Sequence, residues 1–528
     1  MAGVPGDSIS LGRVDLNLDE YPERRMQPAA SKSAQAAGRR FAPKMGRAWH
    51  EAVLLARVGL PAAAAYLASA SFLLVTLAFA ADRGAAVSAG VGLGITFTNL
   101  TGASLIVGAM QALDTLQGQS FGAKSLRQVG VTQAQAVLMG LLLCLPILLL
   151  WLLSGVVLAA SGMDGDVVDV AQTYAHFLCF GVLAQMLNEA MRRWLSAQLI
   201  SWPMGLATVI ALGVHVTANL LLVPRMAAAG LALSYVLATT TILIVASSAV
   251  YLKGYWRATW PGRISRAELL DWPRLRVMAR LAAAATVQTC SEWWAFEVIL
   301  LLAGHVVTAA ADGSENNVNA LAAMAIMLNT CTFAFMLPLG LSTGVTSSVA
   351  NELGAHNAAN AKFAATFGIK VVLAVASAMG ILTLAFAAPW GHRFTADPDV
   401  HALWMGIVPF TALFLAMDAL QCVLTSVLRA AGRQALGARI NLVSYWLVGL
   451  VTSSVLAFPL KFGLRGLVLG MVLGLGVANT ALAVAVARTD WAKAADEAVA
   501  RTAGQGFHQV SPEEDDDAVE LIVHPSSK

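Results

Sequence analysis

Long apolar runs separated by short polar breaks alternate along most of the chain. Val137–Leu153 and Leu231–Val250 are the cleanest runs. A hydrocarbon core takes about 20 helical residues to cross. It offers backbone groups no water, so such runs are expected to be helices. Reading the apolar windows against charged and Gly/Pro breaks predicts twelve spans. They lie at residues 52–81, 88–113, 130–159, 167–191, 201–224, 228–252, 278–304, 319–345, 363–389, 401–428, 436–460 and 464–488. Several carry internal Gly, Asn or Ser, which suits helices that face other helices. The pattern predicts an all-α integral membrane protein with twelve transmembrane helices.

Composition strengthens this reading. Of 528 residues, 58% are hydrophobic and only 12% charged, against about 25% charged in soluble domains; mean hydropathy is +0.68. A net charge of +3 gives no reason to expect nucleic acid as a partner. Cys144, Cys179, Cys290, Cys331 and Cys422 sit inside apolar runs without a CxxC pair, so they read as small hydrophobes, with neither metal nor disulfide expected. Residues 1–50 are polar and lack an apolar signal core. With the N-terminus inside, the inner loops hold fifteen Lys and Arg and the outer loops five (Arg83, Arg225, Arg393, Lys461, Arg465). The positive-inside rule then puts both termini in the cytoplasm.

The loops also hide a repeat. GAMQALDTLQGQSFGAK from Gly108 aligns with GLSTGVTSSVANELGAH from Gly340, pairing Thr115 with Ser347, Gly122 with Gly354 and Ala123 with Ala355 at one offset of 232, as from 122 to 354. Gly230 resembles Gly466 at an offset of 236. Both copies join the second and third helix of a set of six. Two six-helix lobes related by pseudo-two-fold symmetry follow, and transporters commonly bind substrate between such repeats. The expected organisation is a polar tail (1–50), an N-lobe (51–252), a basic linker (253–277), a C-lobe (278–490) and a disordered tail (491–528).

GQSFGAKS is no phosphate loop. Three residues rather than four separate Gly118 from Gly122, Ala123 precedes Lys124, and a membrane-length run comes before it. Intramembrane acids are the better functional candidates, since an ionised carboxylate at the bilayer centre costs roughly 2.5–3.5 kcal/mol. Glu189 lies beside Arg192 and Arg193 near the end of its span and reads as a solvated or paired helix end. Glu292, in CSEWWAFE, lies deep in the seventh span beside Trp293 and Trp294. A carboxylate near indole faces suits a flat organic cation, although the tryptophans read equally well as interface or packing anchors. Glu297 points roughly 140° away from Glu292 at 100° per residue. Asp418 falls near the middle of the tenth span with Gln421 one turn on, placed to exchange a proton. A structural, hydrogen-bonded role is the alternative for Glu292 and Asp418. Asp114 has no acidic mate, since the offset lands on Thr346, and reads first as a helix-end acid.

These stretches resemble the eukaryotic branch of the multidrug and toxic compound extrusion (MATE) family. ALDTLQGQSFGA is similar to its signature after the second helix and EWWAFE to its seventh-helix motif. LPLGLSTGVTSSVANELGAHN, FTADPDV, MDALQCVLTSVLRAAGRQALGARINLVSYWLVG and ARTDW continue in order over residues 50–492. The resemblance implies twelve helices around a central cleft and export of organic compounds against protons or sodium. It implies no bound cofactor. Glu292, Glu297 and Asp418 fall at the family's second-lobe carboxylates; Asn329, Asn441 and Tyr445 match cleft-facing or helix-packing polar positions. Ala284 stands where a proline is usual, Ser348 where a basic residue is common, and the first helix has no acid. Coupling is therefore expected in the second lobe.

The expected function is a proton-coupled antiporter for small organic, cationic substrates, monomeric, in a vacuolar, lysosomal or plasma membrane. DAVELI (Asp517–Ile522) resembles an acidic dileucine sorting signal, and Ser511 in SPEE is a candidate phosphorylation site. The alternatives are a lipid-linked sugar flippase or an uncoupled channel or receptor. No constellation of catalytic residues suggests an enzyme.

Overall fold

The computed structural model describes residues 44–260, 262–306, 308–309, 315–316 and 318–502. The first 43 residues, Ser511 and the DAVELI segment lie outside them. Among the described residues, ten helices are long and apolar enough to cross a membrane. One of these, Trp202–Lys253, is two helices merged across a non-helical residue, Ala227 (φ 46, ψ −120). An eleventh long helix, Trp272–Ala303, carries too many charges to register as apolar. Among the described residues, the spans are therefore α1 (Lys44–Ala81), α2 (Ala85–Gly122), α3 (Leu126–Leu152), α4 (Gly165–Ala197), α5 (202–226), α6 (228–253), α7 (Trp272–Ala303), α8 (Val318–Gly354), α9 (Ala358–Ala385), α10 (Pro398–Ala430), α11 (Gln434–Ala457) and α12 (Gly463–Ala487). The twelve expected spans are all present.

Local chemistry sets the ends. Asp164, Asp271 and Asp397 cap α4, α7 and α10, each accepting from a backbone N–H in the first turn. Pro273 and Pro398 occupy first-turn positions where no N–H is needed. The acids of the loop before α4 are thus partly capping residues. On α3, Leu142, Leu145, Leu149 and Leu152 form one exposed ridge, the face a lipid-bathed helix presents to hydrocarbon. Buried apolar residues gather by lobe: Val91, Ile106, Trp151, Tyr174 and Leu231 in the first six helices, and Ile299, Met324, Trp404, Phe414 and Leu467 in the last six.

Three expected boundaries shift. The linker is partly helical (Trp256–Thr259 and Arg266–Leu269), and α7 begins at Trp272 rather than 278. Residues 491–502, expected in a disordered tail, form helix α13 (Trp491–Thr502) with Ala494, Ala495 and Ala498 fully buried. Its polar composition hid an alanine stripe at helical spacing. Helix α1 begins at Lys44, inside the expected tail.

The linker is fastened by Glu268. Its carboxylate accepts from the Ser265 backbone and hydroxyl, both at 2.9 Å, closing a capping box, and from Arg127 at 2.7 Å. The Ser265 N–H, followed by Arg127, pulls the Glu268 carboxyl from 4.5 down to about 2. A depressed carboxyl stabilises the docked linker above about 4.5 and loses that contribution as the pH falls towards 2. Limited proteolysis at the linker is therefore expected to accelerate over that window in wild type. In Glu268→Gln the acceleration is expected to be absent, with rapid cleavage at every pH.

The repeat meets itself across the two lobes. A β-carbon added at Gly122 would lie 1.9 Å from the Asn351 carbonyl oxygen, and one added at Gly354 would lie 2.0 Å from that of Gln119. Gln119 Nε2 donates to the Ala430 oxygen (2.9 Å), and Asn351 Nδ2 to the Ala197 oxygen (3.2 Å). Lys124 and His356 follow in left-handed conformation, with φ 58 and φ 55. Each relation carries its mate at an offset of 232 or 233. The C-terminal ends of α2 and α8 thus cross back-to-back on the face that bears Lys124 and Arg127. Both were expected to close a loop within one lobe; they close the seam between lobes.

Candidate functional site

Three helices of the second lobe turn polar stripes toward one another. On α7, Gln288 and Glu292 are one turn apart; on α10, Asp418 is followed by Gln421 and Cys422; on α11, Gly437, Asn441 and Tyr445 recur at four-residue spacing. Residues four apart lie on one helix face. Gln421 Nε2 donates to Glu292 Oε2 at 3.3 Å. Asp418 is 5% exposed, and its charge and that of Glu292 act on each other. Tyr445, 1% exposed, feels both acids and Cys422. Gly437 sits against the Gln288 amide, 3.2 Å from the position of an added β-carbon. Around Tyr445, α11 widens into a π-helical stretch, Val443–Leu450, a feature that often re-aims side chains at functional sites.

Asp418 Oδ1, Tyr445 OH, Gln288 Nε2 and both amide atoms of Asn441 are buried without a hydrogen-bond partner among the described residues. Buried polar atoms are nearly always paired, and leaving one unpaired costs about 1–3 kcal/mol. These five atoms, with the Glu292 carboxylate beside them, make a site suited to a polar or cationic guest. Phe296 stands edge-on to Tyr445, ring centroids 6.0 Å apart, and edge-on to Phe414 at 5.8 Å, forming an aromatic wall.

The other expected residues lie elsewhere. Glu297 is turned away from the pair and faces Thr96 of α2, in the opposite lobe. Trp293 and Trp294 are 37% and 38% exposed, and Trp294 Nε1 donates to the Leu100 oxygen across the lobes. Tyr445, which feels both acids, and Phe296 beside it supply aromatic surface at the pair. Asn329, half-buried on α8, bonds the Ala325 carbonyl of its own helix at 2.8 Å. Gln288 was missed by sequence reasoning, although its place one turn before Glu292 was a sufficient signal. Cys422, read as a small hydrophobe, lines the polar stripe. Among the described residues no group of His, Cys, Asp and Glu has metal-binding geometry.

Asp114 departs most from expectation. Helix α2 runs on to Gly122, so Asp114 is no helix-end acid; it is 8% exposed and ion-paired. Arg193 Nη1 lies 3.1 Å and Arg429 Nη1 3.2 Å from its Oδ2. Glu189 pairs with Arg192 (3.3 Å) and Arg193 (3.6 Å), so of the two readings it is the paired acid and not the solvated one. Nothing local in the sequence announced Arg429, 315 positions downstream.

The family model described as MatE matches residues 61–221 and 284–455. Protein DETOXIFICATION 48 of Arabidopsis thaliana is 30% identical over 464 residues, covering 86% of this chain and 84% of its own. Multidrug and toxin extrusion protein 2 of Pongo abelii is 31% identical over 441 residues, covering 80% and 74%. The crystal structure of the eukaryotic MATE transporter AtDTX14 superposes with a TM-score of 0.79 at 25% identity, covering 86% of this chain and all of that one. An outward-facing MATE family transporter shares the fold at a TM-score of 0.73 and 16% identity, covering 84% of this chain and 96% of its own.

Proposed function

Because this chain belongs to the MatE family, a transporter family of multi-pass membrane proteins, we propose that it is a secondary-active antiporter. It exports organic cations in exchange for protons by rocking its two lobes about a central cleft. The observation that carries this reading is the Glu292–Asp418 pair in one lobe, Asp418 buried and Glu292 half-buried, among unpaired polar atoms. Two carboxylates in a medium of low dielectric hold one positive charge between them more cheaply than none. A proton and an organic cation both supply that charge, so binding one releases the other. Tyr445 and Phe296 add an aromatic surface that favours a flat cation over a metal ion.

The basic face, with Lys124, Arg127 and the linker, is cytoplasmic on this reading, and export carries substrate away from it. The substrate route lies within one chain, so a monomer suffices. A vacuolar, lysosomal or plasma membrane fits the proposal equally. No resident cofactor is needed, since the gradient supplies the driving force. A lipid-linked sugar flippase would want a basic cluster to hold its phosphates, whereas the central charges here are acidic.

Proteoliposomes of purified protein, given a fluorescent organic cation and an inside-acid pH gradient, test the proposal. Uphill accumulation that collapses with a protonophore is expected. Accumulation that follows an imposed sodium gradient instead would replace the coupling ion. Equilibration without accumulation would mean a channel, and the antiport reading would fall.

A further inference from the structure

Asp114 joins two arginines of different origin. Arg193 comes from α4, in the same lobe as Asp114, and Arg429 from the last turn of α10, in the opposite lobe. All three side chains are at most 10% exposed. Around them the seam is pseudo-symmetric, through the crossing of Gly122 and Gly354 and the reciprocal bonds of Gln119 and Asn351. Asp114 breaks that symmetry, because its mate at the 232 offset is Thr346. Neighbouring hydrogen bonds reinforce the same crossing: Thr115 donates to the Arg429 carbonyl at 2.5 Å and accepts from Gln434 Nε2 at 2.7 Å. Arg501 of α13 bonds Gln119 on one lobe (2.9 Å) and the Ala431 carbonyl on the other (3.4 Å).

We propose that Asp114 and Arg429 form a state-specific ionic clamp that holds the lobes shut on the basic face. Arg193 keeps the Asp114 carboxylate charged and oriented when that clamp opens. The Asp114–Arg193 pair lies within one lobe and moves as a unit. The Asp114–Arg429 pair spans the lobes, so separation on this face breaks it. Arg193 then spares Asp114 from being left as an unpaired buried charge, which is the costly outcome of breaking such a pair. Arg429 also lies eleven residues after Asp418 on α10, about 16 Å along the helix and only about 20° round it. Its charge reaches Glu292. The same guanidinium thus stands between the seam and the carboxylate pair, able to sense occupancy of one while it secures the other.

The inference rests on the rocking reading for its role in transport, but its test needs neither substrate nor gradient. Spin labels at Lys124 and Ala355, exposed positions one on each lobe, would be introduced in a cysteine-free full-length chain in nanodiscs. Distances between them report separation of the basic face. Wild type is expected to show mainly the short distance. Asp114→Asn and Arg429→Gln are each expected to raise the ratio of long to short distances by about tenfold or more, the scale for truncating a buried charge pair. Arg429→Lys is expected to restore most of the short population, which a merely structural role would not require. Should Asp114→Asn fold poorly, Arg429→Gln decides the question. An unchanged distance distribution in a folded variant overturns the clamp. A wrong substrate class or coupling ion would leave these distances untouched, while a failed clamp would leave wild-type uphill uptake intact, so the two failures are distinguishable.

Discussion

Glu292→Gln and Asp418→Asn are each expected to lower gradient-driven export by at least about thirtyfold, with the helical fold intact. A cation about 4 Å from a carboxylate gains roughly 4 kcal/mol at an effective dielectric of 20, and each 1.4 kcal/mol is a factor of ten. Losing half of that gain, about 2 kcal/mol, is already close to thirtyfold. Neutralising a buried acid also removes a charge that costs roughly 2.5–3.5 kcal/mol in the membrane. The thermal midpoint in detergent is therefore expected to hold or rise, which separates lost transport from lost folding. Because the two acids share one guest, the double variant is expected to be no worse than either single one, as for residues acting as a unit. Glu297→Gln is the internal comparison, for this acid faces Thr96 rather than the pair, and a loss of about threefold or less is expected. Initial uptake rates in proteoliposomes measure all four variants against wild type. Wild-type rates in either Glu292→Gln or Asp418→Asn would remove that residue from the cycle.

Local features of this protein were open to reading from residue order, and contacts across the lobes were not. Spans follow from apolar length because lipid punishes an unpaired backbone everywhere along a helix. Even α7, too charged to score as apolar, was recoverable, since its charges cluster at the basic end and in EWWAFE. The repeat showed itself at Gly122 and Gly354 because close backbone approach tolerates no side chain. What that approach was for stayed hidden. A glycine looks alike whether it closes a loop or lets two lobes touch, and the structure is needed to place Asn351 against it. The acids were legible as anomalies in an apolar background, whereas their selection was not: Glu292 and Asp418 converge and Glu297 does not, a matter of helix rotation. Asp114 was misread because its helix was expected to end there and because Arg429 lies across the seam.

Gly122→Ala and Gly354→Ala are each expected to slow transport by about tenfold without loss of stability, and the double variant to abolish it. The added β-carbon would sit 1.9 Å from the Asn351 oxygen in the first case and 2.0 Å from the Gln119 oxygen in the second. Both neighbours are backbone atoms of packed helices, so no rotamer change relieves the clash. The neighbouring backbones must part by about 1.5 Å to reach ordinary van der Waals distance. Such a shift stretches the Gln119–Ala430 and Asn351–Ala197 bonds, at 2.9 and 3.2 Å, beyond useful length. It pulls Asp114 from Arg429 by a similar amount. Within each lobe the methyl costs the helix nothing, since Gly122 and Gly354 are the last helical residues of α2 and α8 and alanine is at least as good a helix former as glycine. The added methyl therefore acts on seam closure rather than on helix stability. A raised or unchanged thermal midpoint together with lost transport is the expected signature. Gly92→Ala, at a helical glycine whose added β-carbon meets nothing within 4 Å, controls for the substitution itself and is expected to transport normally. Normal rates in the Gly122 and Gly354 variants would mean that the cycle never needs this seam closed. Reduced rates, rescued in part by a gradient that drives the lobes together on the basic face, would tie the repeated glycines to the closing step.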